Sequence, residues 1–142
     1  LMMAFTQGYW VRKLVPKIGE RVTLIIGVTL MSLSFLMISQ TFAIWWLAIS
    51  MTILAVGYGF VRPNIIAMIS LSTSEKNQGV VLGTTQSLSA VTRIFGPLIG
   101  GWFYDNVSWG SPFFVAGCFT ITAFFALIYK YSTLPDQKRK EA

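Results

Sequence analysis

Four long runs of apolar residues dominate the chain, separated by short polar connectors. They cover residues 22–39, 42–71, 79–104 and 112–131, and residues 1–8 read as the end of another run. A hydrocarbon core about 30 Å thick takes about 20 helical residues to cross, so each complete run is long enough to span a bilayer. The runs are continuously apolar and do not alternate, which suits helices and excludes barrel strands with two unlike faces. The second run exceeds a perpendicular span and must tilt, kink or protrude. The pattern predicts an all-α, polytopic transmembrane helical bundle with a charged tail at 132–142. Because the chain opens inside an apolar run, residues 1–142 are expected to be a partial domain of a longer protein, and the opening segment lacks the basic start and cleavage site of a signal peptide.

Composition narrows the class further. Of 142 residues, 54% are hydrophobic and 11% charged, against about 25% charged in soluble domains. Such a chain could not cover itself with polar groups as a small soluble fold, and it is too apolar for disorder. One cysteine and no histidine leave no disulfide scaffold and no Cys/His metal site. No nucleophile–base–acid set or phosphate loop is present, so neither an enzyme nor a cofactor is predicted.

The net charge of +6 raises the question of nucleic acid. Its distribution answers against that partner. Arg12, Lys13, Lys17, Arg21, Lys76, Lys138, Arg139 and Lys140 fall on alternate connectors, Lys130 stands at the end of the fourth run on the same side, and none falls at 40–41 or 105–111. Cytoplasmic loops carry the excess of Lys and Arg, so this arrangement predicts a cytoplasmic C-terminus. Trp45, Trp46, Trp102 and Trp109 would then lie at the outer interface, and Trp10, Tyr129 and Tyr131 at the inner one.

The two remaining cations lie inside apolar runs. In the third run Gly79, Gly83, Gln86, Ala90, Arg93, Pro97, Gly100 and Tyr104 follow one another at spacings of four and three. Leu82, Leu88, Phe95, Ile99 and Phe103 occupy the other face. Small residues let helices in lipid approach closely, so the first face is expected against protein or water. Arg93 lies about 21 Å into this run at 1.5 Å per residue, where burying it costs on the order of 2.5–3.5 kcal/mol. No Asp or Glu stands inside a run. Arg93 is therefore either part of a substrate pathway or gating network, or a tie to carbonyls of a neighbouring helix. Gly96 and Pro97 follow it, and Pro97 frees the Arg93 carbonyl, giving either a static kink or a hinge.

The second run holds Gly57, Gly59, Arg62, Pro63 and Asn64. Interrupted segments of this kind line transporter cavities, which makes Arg62 and Asn64 candidates for the same substrate pathway or gating network as Arg93 and Gln86. Snorkelling to the cytoplasmic interface is the default reading of Arg62, and the pathway is its alternative. Cys118 reads as packing, and Ser32, Ser34 and Ser39 are expected to bond carbonyls of their own helix.

Gly57-Tyr58-Gly59-Phe60-Val61-Arg62-Pro63-Asn64, Gln78-Gly79-Val80-Val81-Leu82-Gly83, Gln86-Ser87-Leu88 and Arg93-Ile94-Phe95-Gly96-Pro97-Leu98-Ile99-Gly100-Gly101 together resemble the major facilitator superfamily. They look most like the last helices of the tetracycline-efflux-like drug:proton antiporters. The resemblance implies the C-terminal portion, about helices eight to twelve, of a twelve-helix fold in a bacterial-type inner membrane. It also implies a missing N-terminal half, a small-molecule substrate and protons as partners besides lipid. Gly8, Arg12, Lys13, Gly19, Glu20 and Arg21 resemble the family's cytoplasmic loop between helices eight and nine. They depart from its pattern, because Arg12 stands where that pattern places an acid; Glu20 is the substitute carboxylate or a surface ion-pair partner. The function implied is proton-coupled efflux of small amphipathic compounds by alternating access. The alternatives are an anion or nutrient facilitator or symporter with Arg93 and Arg62 as the anion site, and a membrane fragment that does not transport.

Overall fold

The computed structural model describes Lys13 and residues 18–41 and 43–130. Four α-helices follow in order: α1 (Glu20–Ser39), α2 (Ile44–Ser72), α3 (Gln78–Asn106) and α4 (Ser111–Tyr129), with a 3-10 turn (Glu75–Asn77) between α2 and α3. Gly8 and Arg12, the opening run at 1–8 and the tail at 132–142 lie outside the described residues. Both long helices run without interruption through their internal prolines, Pro63 in α2 and Pro97 in α3.

The helix ends follow from local chemistry. Gly19 precedes α1 with φ 94°, a left-handed backbone angle that glycine alone adopts freely. Thr23 donates its hydroxyl back to the Gly19 carbonyl at 2.8 Å. Between α3 and α4 the Ser111 hydroxyl reaches the carbonyls of Phe103 and Ser108, each at 2.7 Å, and Pro112 occupies the first turn of α4, where its missing N–H is harmless. The α2–α3 hairpin is held by the Gln78 side-chain amide, which donates to the Ser70 carbonyl at 3.1 Å.

The helices do not share their packing evenly. α1 lies against both α2 and α4, whereas α3 touches α2 and α4 only sparingly. Leu24, Val28 and Met68 form the buried core, with Val61, Phe124 and Leu127 packed around them. Gly27 and Gly57 bring the backbones of α1 and α2 together: a Cβ on Gly57 would stand 2.9 Å from the Gly27 carbonyl oxygen. Gly57 thus serves interhelical contact. Ser34 donates its hydroxyl across the same seam to the Ser50 carbonyl, which corrects the expectation that it bonds its own helix. Ser32 and Ser39 do bond their own helix, to Val28 and Leu36. At the far end the Trp46 indole N–H donates to the Met37 carbonyl at 3.0 Å.

Three of the helices, α1, α2 and α4, are long and apolar enough to cross a membrane. The expected third span, α3, is equally long but more polar. Thr84, Thr85, Gln86, Ser87, Ser89, Thr92 and Arg93 crowd its middle. None of its residues is buried. The glycines expected to seat it against a neighbour do not do so among the described residues. A Cβ at Gly79, Gly83 or Gly96 would meet no atom within 4 Å, and one at Gly100 meets only Pro112, at 3.9 Å. Gly96 and Gly100 share with Phe95, Ile99 and Phe103 a groove of about 410 Å³ that separates α3 from α4.

A candidate solute site between α2 and α3

A cavity of about 290 Å³ lies between α2 and α3, which touch only sparingly. Arg62 of α2 and Arg93 of α3 both line it, together with Gln86. Gln86 and Arg93 share a face because seven residues make almost two full helical turns. Arg62 comes from the opposite wall. It lies roughly 15 Å from the hairpin end of α2 and Arg93 roughly 22 Å from that end of α3, at 1.5 Å per residue. Arg62 and Arg93 thus border one cavity from opposite walls. Both arginines are exposed within this chain. Neither has a hydrogen-bond or ion-pair partner among the described residues.

The rest of the lining divides into an apolar wall and a polar one. Tyr58, Val61, Ile65 and Ile66 supply the first from α2. Thr85, Ser89 and Thr92 supply the second from α3. These hydroxyls already donate within the helix, to the carbonyls of Val81, Thr85 and Ser89 at 2.8–2.9 Å. They therefore turn only lone pairs towards a guest. Donors free for one are the two guanidiniums, the Gln86 amide and the Tyr58 phenol. Among the described residues no carboxylate lines the cavity.

Asn64, expected in the same pathway, is not part of it. It is 2% exposed, and its amide donates to the Phe60 carbonyl at 2.7 Å. Two residues along a helix turn about 200°, so Asn64 points away from Arg62 and into the packed side of α2. Gly59 is buried on α2, and Pro63 is half-buried. Of the loop residues, Lys13 is exposed, while Gly19, Glu20 and Arg21 are buried at the start of α1. Glu20, at 4% exposure, is therefore no surface carboxylate. Among the polar lining residues, sequence reasoning passed over Tyr58, Thr85, Ser89 and Thr92; the spacing of four between Tyr58 and Arg62, one helical turn, was the available signal for the first.

An all-helical chain with three membrane-length apolar helices and one polar helix bordering a cationic cavity belongs among multi-pass integral membrane proteins. The family follows from comparison with known proteins: a model of the Major Facilitator Superfamily matches residues 1–142, and the chain belongs to that family. The methyl viologen resistance protein SmvA of Salmonella typhimurium is 31% identical over 70% of this chain and 20% of its own length. The class H tetracycline resistance protein of Pasteurella multocida is 28% identical over 85% of this chain and 32% of its own. The multidrug resistance protein MdtG of Dickeya zeae is 28% identical, covering 88% and 31%. This chain thus spans about a fifth to a third of the length of these relatives. Among solved structures, the peptide transporter POT in complex with sulfate superposes with a TM-score of 0.80 over 91% of this chain and 27% of its own, at 13% identity. That likeness shows the fold.

Proposed function

We propose that this chain forms the closing helices of a secondary transporter that exports small amphipathic compounds by alternating access, driven by protons. The observation that carries the reading is α3, a 29-residue helix whose polar middle borders the α2–α3 cavity. A helix of that polarity in a membrane protein belongs beside water or a solute route. The resistance proteins among the relatives support export of foreign compounds, and their greater length supports a partner half that closes the cavity. The residues bordering the cavity would be Arg62, Gln86 and Arg93, with Tyr58 on the apolar wall. By the Lys and Arg distribution, the α2–α3 hairpin and the C-terminus face the cytoplasm of a bacterial-type inner membrane.

Proton coupling needs a titratable group in the membrane. The only described acids within helices are Glu20 and Asp105, each at a helix end, so the coupling carboxylates are expected in the remainder of the protein. The test is proton flux and solute uptake in everted vesicles carrying the full-length transporter. Solute-dependent alkalinisation of the vesicle lumen supports the reading. Transport that survives replacement of every intramembrane carboxylate, or that ignores a collapsed proton gradient, would refute it.

A further inference from the structure

We propose that the α2–α3 cavity binds the anionic group of a small amphipathic organic solute, held by Arg62 and Arg93 together. This rests on the reading of that cavity as the solute route and adds the charge of what it takes. The two arginines come from different helices, so local spacing alone does not bring them together; the fold does. Each would cost on the order of 2.5–3.5 kcal/mol at membrane depth if left unsolvated. Two like charges on one cavity raise that cost. Among the described residues neither has a protein partner and no acid shares the cavity.

A guest carrying a carboxylate, sulfonate or phosphonate answers all three conditions. The planar guanidinium matches such groups through two parallel hydrogen bonds. The Gln86 amide adds a donor beside Arg93, while the hydroxyls of Thr85, Ser89 and Thr92 are spent on helix carbonyls. The guest's body is apolar, because Tyr58, Val61, Ile65 and Ile66 form the facing wall. An anionic lipid headgroup offers the same charge, and the experiment separates the two.

The experiment is equilibrium dialysis of the full-length transporter in nanodiscs against three probes of one shape: 4-toluenesulfonate, neutral 4-toluenesulfonamide and cationic 4-methylbenzyltrimethylammonium. In phosphatidylcholine discs the sulfonate is expected to bind at least about tenfold more tightly than the other two. Arg62→Gln and Arg93→Gln should each remove about tenfold, whereas Lys76→Gln, on the exposed 3-10 turn, should remove none. Should an arginine variant fail to fold, the ranking of the three probes on the unmodified protein decides alone. Equal or tighter binding of the sulfonamide or the ammonium overturns the charge assignment and leaves the solute route standing. Failure of all three probes to bind overturns both. Discs containing phosphatidylglycerol separate the two sources of anion: persistent sulfonate binding supports the solute, and its abolition assigns the site to a headgroup and overturns the proposal.

Discussion

The α1–α2 seam and the α3 helix are built from similar residues and do opposite things. Both are rich in glycine, serine and threonine. In the seam, Gly27 and Gly57 let two backbones meet and Ser34 bonds across to Ser50. On α3, Gly79, Gly83 and Gly96 meet nothing, and the hydroxyls bond their own helix. The small-residue pattern thus marks a helix that can approach a neighbour. Whether it does is decided by the bulky side chains around it. Leu24, Val28 and Met68 draw α1 and α2 together, whereas Arg93 and the polar middle of α3 favour water over a dry seam.

The largest effect that separates the two regions is expected from adding one methyl group. Gly57→Ala places a Cβ 2.9–3.0 Å from backbone atoms of α1 and should cost about 1–3 kcal/mol as overpacking, read as reversible unfolding in mixed micelles. Gly83→Ala adds the same methyl to open space and should stay within about 0.5 kcal/mol. A loss at Gly83 equal to that at Gly57 would break the comparison, because the open face of α3 would then be covered in the whole protein.

Next comes the pair that was expected to act together. Asn64→Ala removes a buried amide and should cost about 1–2 kcal/mol while leaving sulfonate binding unchanged. Gln86→Ala should do the reverse, weakening the sulfonate several-fold with little change in unfolding. The smallest effect sharpens the seam itself. Ser34→Ala should cost about 0.6 kcal/mol, the usual worth of an interhelical bond in a membrane protein. Ser32→Ala, which gives up only a bond to its own helix, should cost less, and a reversed order would deny the Ser34–Ser50 link.

Much of this architecture is legible in the chain because apolar length alone locates helices in a membrane protein. Half of the site is legible too, since Gln86 and Arg93 repeat at helical spacing and stand on one face. The same geometry carries a warning about Asn64: two residues from Arg62, it had to point elsewhere. Likewise Ser32 and Ser34 diverge by about 200°, so one at most could reach α2. What no local pattern contains is that Arg62 and Arg93 border one cavity, or that Gly57 and not Gly83 makes a contact. Both depend on packing across helices distant in sequence.

The central claim is that α3 borders a wet route while the α1–α2 seam is dry. Its most direct test is thiol accessibility in the full-length protein with Cys118→Ala as background, comparing Ser89→Cys on the cavity with Leu24→Cys in the seam. A membrane-impermeant, charged methanethiosulfonate should modify the thiol at 89 at least about tenfold faster than the one at 24, and 4-toluenesulfonate should slow the reaction at 89 alone. Equal rates at the two positions, or faster reaction at 24, would contradict the account.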